Sequence, residues 1–448
     1  MYVKLAWGNV RRSLRDYSVY FLTLAFAACL LYLFTASGDF LEAMDLTPAQ
    51  RAAYGKAGDV VQAFSVLTVL VFVFLVAYAN RFILRRRSRE FALYGLLGMR
   101  GSRVARILAY EGGMVGACAL LAGIAVGTLL SPLFGGVVAF VFGVPWKLAW
   151  VFSPHAALWC AGCFAAIMAL ATFLGARSVQ RRSLLQLMTA SRAPERMLGS
   201  GRRALGFQLA GGVVLVGAVW AVCVFQPVYF LSFILPLGVA AVFGTCLVFR
   251  YGAARVPSLL RRREGWYLRD LHCFAVRQVE AKVSSSALAM ACVCVLIAVA
   301  VCMIAAGLLF SVGMRGMGSG SSESILAPFG FVGILYGLTF MVAAAAVLAL
   351  QQLSEAADSA GRYRVLSELG VPEALAVRAM RAQVGTYFGV PLAGALVHCV
   401  FGLALVGFLA ETFGSASFMA IALGTLGGAV LVMGLYYLVT CAACRRIV

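Results

Sequence analysis

Ala287-Leu288-Ala289-Met290-Ala291-Cys292-Val293-Cys294-Val295-Leu296-Ile297-Ala298-Val299-Ala300-Val301-Cys302-Met303-Ile304-Ala305-Ala306-Gly307-Leu308-Leu309-Phe310 holds no charged residue. It exceeds the roughly 20 apolar residues that carry an α-helix across a hydrocarbon core about 30 Å thick. Such a run is read as a membrane crossing. Comparable runs extend from Tyr17 to Ser37, Val60 to Leu84, Ile107 to Leu130, Val151 to Ala176, Phe207 to Phe225, Val228 to Phe249, Ala327 to Leu353, Val384 to Leu409 and Phe418 to Cys444. Between Phe207 and Phe249 only Gln226 and Pro227 mark a turn, but the aliphatic sequence around them is too long for one helix, so two crossings are expected. The chain of 448 residues is 63% hydrophobic and only 12% charged, with mean hydropathy +0.95, where a soluble surface needs about a quarter charged residues. The expected fold class is an all-α polytopic membrane protein of about ten transmembrane helices.

Charge supplies the orientation. With the N-terminus inside, 32 of the 37 Lys and Arg fall in cytoplasmic segments, where basic residues are retained during insertion. Arg51, Lys56, Lys147 and Arg315 fall outside, and Arg81 lies at a helix end. The expected location is a bacterial plasma (inner) membrane, crossed many times, with both termini cytoplasmic. The net charge of +20 does not indicate nucleic acid, because lipid-spanning runs separate the Arg clusters and no single basic groove can form. A cleaved leader is not expected either, since the basic region ahead of the first run and the run itself are too long. The 13 cysteines lie nearly all in spans or at their ends, as in Cys160 with Cys163 and Cys441 with Cys444. With His155, His272 and His398 scattered, they read as small packing residues and no metal site is expected.

Sliding the chain by 272 residues aligns two cytoplasmic segments. Glu90-Phe91-Ala92-Leu93-Tyr94-Gly95-Leu96-Leu97-Gly98-Met99 falls on Arg362-Tyr363-Arg364-Val365-Leu366-Ser367-Glu368-Leu369-Gly370-Val371. Each pattern predicts a short helix, stopped by a left-handed Gly and followed at once by a helix entering the membrane. Pro372 suits the first turn of that next helix. Gly112, Gly116, Gly123 and Gly127 in one following span, and Gly385 and Gly389 in the other, have the spacing that lets helix backbones approach. Leu5 to Ser13 and Leu271 to Val279 are basic amphipathic stretches suited to the membrane interface, with Val10-Arg11 matching Val276-Arg277. The expected organisation is two parallel four-helix modules, Met1 to about Ala176 and about Leu271 to Val448. Residues 177–270 would supply cytoplasmic segments and two linking crossings.

Several stretches carry a family resemblance: Asn9 to Tyr17, Tyr20-Phe21-Leu22-Thr23-Leu24, Tyr78-Ala79-Asn80-Arg81-Phe82, Glu90 to Met99, Leu184 to Ser191 and Pro391-Leu392 with Ala395 and His398. Together the chain resembles FtsX-like permeases of ABC transporters, closest to the ten-helix bacitracin-efflux type found in antimicrobial-peptide resistance systems. It departs from them in having only the short segment Ser311–Leu326 where they carry a large extracellular domain. The resemblance implies a mechanotransmission transporter that exports or extracts an amphipathic or lipid-linked substrate. Two copies of a soluble ATPase, holding the ATP and Mg, would drive it; membrane lipid and a membrane histidine kinase are further implied partners. It also implies a second reading, a non-transporting regulator that passes ATPase motion to a sensor or an extracellular enzyme.

By position the coupling residues would be Glu90, Phe91, Tyr94, Leu97, Gly98 and Met99, with Tyr363, Leu366, Leu369 and Gly370 in the second copy. Phe91, Tyr94 and Leu97 share one face at helical spacing, an expected apolar docking surface. No Gly-x-x-x-x-Gly-Lys-Ser/Thr loop occurs, so ATP hydrolysis is expected only in a partner, and no enzyme constellation is evident. Two intramembrane polar residues stand out. Glu111 is expected to pair with Arg106 or Arg103, and His398 to hydrogen-bond between helices.

Overall fold

The computed structural model describes residues 8–9, 11, 14–36, 39, 48, 69, 72–73, 76–77, 79–80, 83–84, 87–142, 146, 150–180, 202–313, 322–412 and 418–446. Most of the Val60–Leu84 run, the Leu5–Ser13 stretch, the Gly38–Asp59 loop and Leu184–Ser191 lie outside these residues. Among the described residues the structure is helical and contains no strand. Eight of the described helices are long and apolar enough to cross a membrane, and Tyr20–Thr35 is a shorter apolar helix. The protein is an all-α polytopic membrane protein. It divides into two compact units, Met1–Ala193 and Pro194–Val448.

The first unit contains α1 (Leu14–Thr35), α2 (Ser88–Leu96), α3 (Gly101–Phe142) and α4 (Pro154–Gln180). α3 packs along α1, and the two backbones come close at Gly123 and Gly127. A Cβ on Gly123 would lie 2.6 Å from the Ala25 carbonyl oxygen, and one on Gly127 would lie 2.7 Å from the Tyr32 ring. At the far end of this pair the Tyr32 hydroxyl accepts the Ser153 backbone N–H at 3.1 Å. The Ser153 hydroxyl in turn accepts the Ala156 N–H at 3.0 Å, capping α4 ahead of Pro154. Gly112 and Gly116 face α4 less tightly, with Cβ distances of 3.7 Å to Thr172 and 3.2 Å to Met168.

The second unit contains α5 (Arg202–Phe225), α6 (Pro227–Ser232), α7 (Ile234–Arg261), α8 (Glu264–Tyr267), α9 (His272–Leu308), α10 (Ser322–Glu368), α11 (Glu373–Thr412) and α12 (Phe418–Arg445). Pro227 opens the short α6 that turns the chain between α5 and α7, so the long aliphatic stretch is two crossings. α5 and α7 pack on each other, α5 on α11 and α7 on α9. The centre of the unit is α10, with Phe331, Leu335, Tyr336, Phe340, Ala344 and Leu348 all buried. α9 lies against it through Gly333 and Gly337, whose added Cβ atoms would meet the Met303 and Ala300 carbonyl oxygens at 2.7 and 2.8 Å. Small residues here do for α9 and α10 what Gly123 does for α1 and α3. Gly385 and Gly389 do not close an interface: a Cβ on Gly385 would come no nearer than 3.8 Å, and one on Gly389 would meet nothing within 4 Å.

The second of the two repeated segments is not the separate short helix that its sequence predicts. It forms the last turns of α10, which runs unbroken from Ser322 to Glu368. Gln351 to Ala360 is rich in helix formers, and the lone Gly361 costs about 1 kcal/mol relative to Ala, too little to interrupt a packed helix. Both segments end alike. Gly98 and Gly370 have φ of 81° and 83°. Met99 N–H reaches the Tyr94 carbonyl at 3.0 Å, and Val371 N–H reaches the Leu366 carbonyl at 3.1 Å. This six-to-one closure needs a left-handed residue one position before its donor, which glycine adopts without Cβ strain.

Candidate functional site

α2 is nine residues long and has one apolar face to attach it to the protein. Phe91 is 3% exposed and packs with Val104 and Leu108 of α3, with Leu84, Tyr94 and Met99 around them. The expected surface of Phe91, Tyr94 and Leu97 is therefore corrected: Phe91 is spent in the core and Tyr94 is half-buried. So short a helix must use its largest ring to hold on. The exposed apolar face is instead Leu93, Leu96 and Leu97, the last 72% exposed. In the second unit Tyr363 is likewise buried, its ring edge-on to Phe274 at 5.4 Å, and burial pushes its phenol up to about 12. Leu366 is half-buried, while Val365 and Leu369 are exposed. Val365 and Leu369 occupy the positions of Leu93 and Leu97 in the 272-residue register.

Behind α2 lies a buried polar cluster. Glu111 of α3 is wholly buried, but its partner is not Arg103 or Arg106. Those side chains leave α3 earlier along the same helix, whereas Arg87, in the turn before α2, is 1% exposed and forms the ion pair. The Tyr17 hydroxyl of α1 donates to Glu111 Oε2 at 2.9 Å, and Asn9 Nδ2 donates to Oε1 at 2.7 Å. Arg87 also donates to the Tyr17 oxygen and, through Nε at 2.8 Å, to Glu90 Oε2. Asn9 further reaches the Tyr94 hydroxyl at 3.2 Å. The Arg87 guanidinium lies 5.3 Å from the Tyr17 ring centre and 5.5 Å from that of Phe91, within cation–π range. Burial works against the Arg87 charge, but the hydrogen bonds to Glu111 and Glu90 outweigh it and its pKa is raised. The cluster thus ties the N-terminal segment, α2 and α3 together with the charges mutually satisfied. Sequence reasoning missed Arg87 because it sits in the triplet Arg85-Arg86-Arg87, which reads as a solvated loop. The acidic Glu111 at the start of an apolar run was the available signal.

In the second unit His398 joins three helices. Its Nδ1 accepts the Trp220 indole N–H at 2.9 Å, and its Nε2 lies 2.9 Å from the Thr245 hydroxyl. Trp can only donate, so Nδ1 carries a lone pair and a neutral ring bears its proton on Nε2. Trp220 also stacks on Phe401 at 4.1 Å. Replacing His398 with Leu is expected to lower stability by about 1–3 kcal/mol, because the N–H of the half-buried Trp220 is left without its acceptor. Thermal unfolding followed by tryptophan fluorescence checks this.

Between α3 and α4 a groove of about 750 Å³ is lined by small and apolar residues, among them Gly112, Gly116, Phe164 and Met168, with Ser102, Arg106 and Thr172 as its polar members. Among the described residues no three His, Cys, Asp or Glu side chains converge as a metal site would require.

Comparison with known proteins adds the relationship. Residues 63–184 match the family described as FtsX-like permease C-terminal, a stretch that contains α2, α3 and α4. The chain is 23% identical over 303 residues to the bacitracin export permease protein BceB of Bacillus subtilis, covering 64% of this chain and 44% of that protein. It is 23% identical over 291 residues to the bacitracin export permease protein BceB of Halalkalibacterium halodurans, covering 62% of this chain and 44% of the relative. A third relative, the uncharacterized ABC transporter permease YvcS of Bacillus subtilis, is 22% identical over 191 residues, 43% of this chain and 29% of its own length. The chain therefore spans less than half the length of these curated relatives. Residues 63–184 are thus similar to the FtsX-like permease C-terminal family, and the chain is similar over part of its length to the bacitracin export permeases.

Proposed function

We propose that this protein is the membrane permease subunit of a bacterial ABC transporter, moved by a separate ATPase that docks on α2 and on the end of α10. One observation carries the reading: an exposed apolar face recurs at the same register in both units, each time just ahead of a left-handed glycine and a helix entering the membrane. Leu93, Leu96 and Leu97 form one face and Val365 with Leu369 the other. Arginines flank both, Arg100 and Arg103 in the first and Arg362 and Arg364 in the second. Such a surface fits a partner groove with an apolar floor and an acidic rim. Two faces in one chain fit two copies of the ATPase, and ATP with Mg would bind there. The segments bearing these faces are the basic ones, which supports a topology with them and both termini on the cytoplasmic side of the plasma membrane.

The substrate class we propose is amphipathic or lipid-linked, such as an antimicrobial peptide. The groove between α3 and α4 supports it, being apolar along most of its length with Arg106 and Ser102 among its lining. That the relatives are named bacitracin export permeases points the same way.

Leu97→Asp with Leu369→Asp places a carboxylate in each docking face while leaving the buried cluster intact. The expected result is loss of an ATPase that co-purifies with the wild-type protein from native membranes in mild detergent, by tenfold or more, with an unchanged gel-filtration profile. Full retention of the ATPase on the double variant would move the docking site elsewhere. No ATPase with wild type would remove the transporter reading.

A further inference from the structure

The 272-residue register extends to burial. Ile107, Leu108, Glu111 and Val115 of α3 correspond to Ala379, Met380, Gln383 and Tyr387 of α11, and all eight are buried. Phe91 corresponds to Tyr363, and Arg87 to Ser359, again all buried. Among these buried positions the charge differs at two places: the ion-paired Arg87 and Glu111 of the first unit are replaced by neutral Ser359 and Gln383 in the second.

The backbone differs at the same point. In the first unit Arg87 stands in a turn with φ −95° and ψ 8°, and α2 beyond it is only nine residues long. In the second unit Ser359 lies within the unbroken α10. The nine-residue helix holds its neighbour through one small apolar cluster, and could pivot about Arg87 and Gly98 were those contacts all it had. The ion pair crosses that pivot, from the root of α2 to α3, with Tyr17 bringing in α1.

Resting on the reading of α2 as a docking helix, we propose that Arg87 and Glu111 are positioning residues: their pair makes α2, α1 and α3 move as one body, replacing the backbone continuity that α10 provides in the second unit. The two coupling ends are therefore mechanically unequal. One is a jointed arm locked by charge and the other a continuous rod. Displacement of α2 by a partner passes to α3 through the pair, and only the first arm can be released by breaking it.

The test substitutes the second unit's residues into the first, Arg87→Ser with Glu111→Gln, so that no unpaired charge is buried. Amide hydrogen exchange is measured on the full chain in nanodiscs, with gel filtration as the folding control. Exchange over residues 88–96 is expected to rise at least tenfold, with exchange in residues 354–368 unchanged. The reciprocal pair, Ser359→Arg with Gln383→Glu, is expected not to slow exchange in residues 354–368. Unchanged exchange in α2 of the first variant overturns the proposal without reference to any ATPase. Where that variant does not fold, Arg87→Lys keeps the charge but loses the planar fork, and a rise of at least threefold in α2 is expected. No rise overturns the proposal. In a second arm the complex with its co-purified ATPase is compared with and without ATP. The double variant should retain the ATPase but lose the ATP-dependent change in exchange along α3. Loss of the ATPase itself would instead make the pair a brace for the docking face and overturn the transmission role. Absence of ATPase from wild type would count against the transporter reading, while the first arm still decides the joint.

Discussion

Replacing Glu111 with alanine is expected to destabilise the first unit by about 3–5 kcal/mol, the cost of leaving a buried charge without its partner. Arg87 is 1% exposed and cannot lose its proton, so without Glu111 only Glu90 at the margin would balance it. Tyr17 and Asn9 would lose their acceptor in the same step. The reverse deletion, Arg87→Ala, should cost less, because Glu111 would still accept hydrogen bonds from Tyr17 and Asn9. The measurement is thermal unfolding in nanodiscs, with the order of melting temperatures expected as wild type, Arg87→Ala, then Glu111→Ala. A Glu111→Ala protein that melts with wild type would mean that water reaches the pair.

Gly123→Val is expected to be comparably damaging for a different reason. The new Cβ would fall 2.6 Å from the Ala25 carbonyl oxygen, 2.6 Å from the Ala28 Cβ and 2.8 Å from the Cys29 nitrogen. Two of those three atoms are backbone, so no rotamer change relieves the clash, and α1 must separate from α3. Overpacking of this kind costs about 1–3 kcal/mol where side chains can adjust, and more is expected where they cannot. Gly389→Ala is the control: nothing lies within 4 Å of its added Cβ, and helix propensity should make it neutral or stabilising by up to about 1 kcal/mol. Comparable loss at both positions in a detergent melting series would mean that helix spacing does not limit stability here.

The sequence makes the crossings legible because lipid imposes one demand, a long apolar run, that no tertiary contact can override. It also makes Gly98 and Gly370 legible, since the chain stop is local. What it conceals is direction. Phe91 and Leu97 share a helical face by spacing, but which ring is needed to anchor a nine-residue helix depends on Val104 and Leu108, contributed by the next helix. Arg87 was hidden for the same reason, its ion pair being formed 24 residues away across a turn. His398 could be recognised as a polar residue inside a span, but its partners Trp220 and Thr245 are 178 and 153 residues distant, beyond any local pattern. The continuity of α10 was concealed by its resemblance to the first copy: similar letters suggested a similar break, while Ser354 to Ala360 simply propagate a helix.

That continuity sets a distance. From Leu353, where the apolar span ends, to Leu369 the chain advances about 24 Å at the helical rise of 1.5 Å per residue, against a headgroup layer about 5–8 Å deep on each side. A docking face at Val365 and Leu369, as proposed above, would thus stand clear of the lipid. A protein binding there would meet water and helix only, so its affinity should be indifferent to whether the bilayer is anionic or zwitterionic, and the stem would double as a spacer that keeps soluble machinery off the membrane surface.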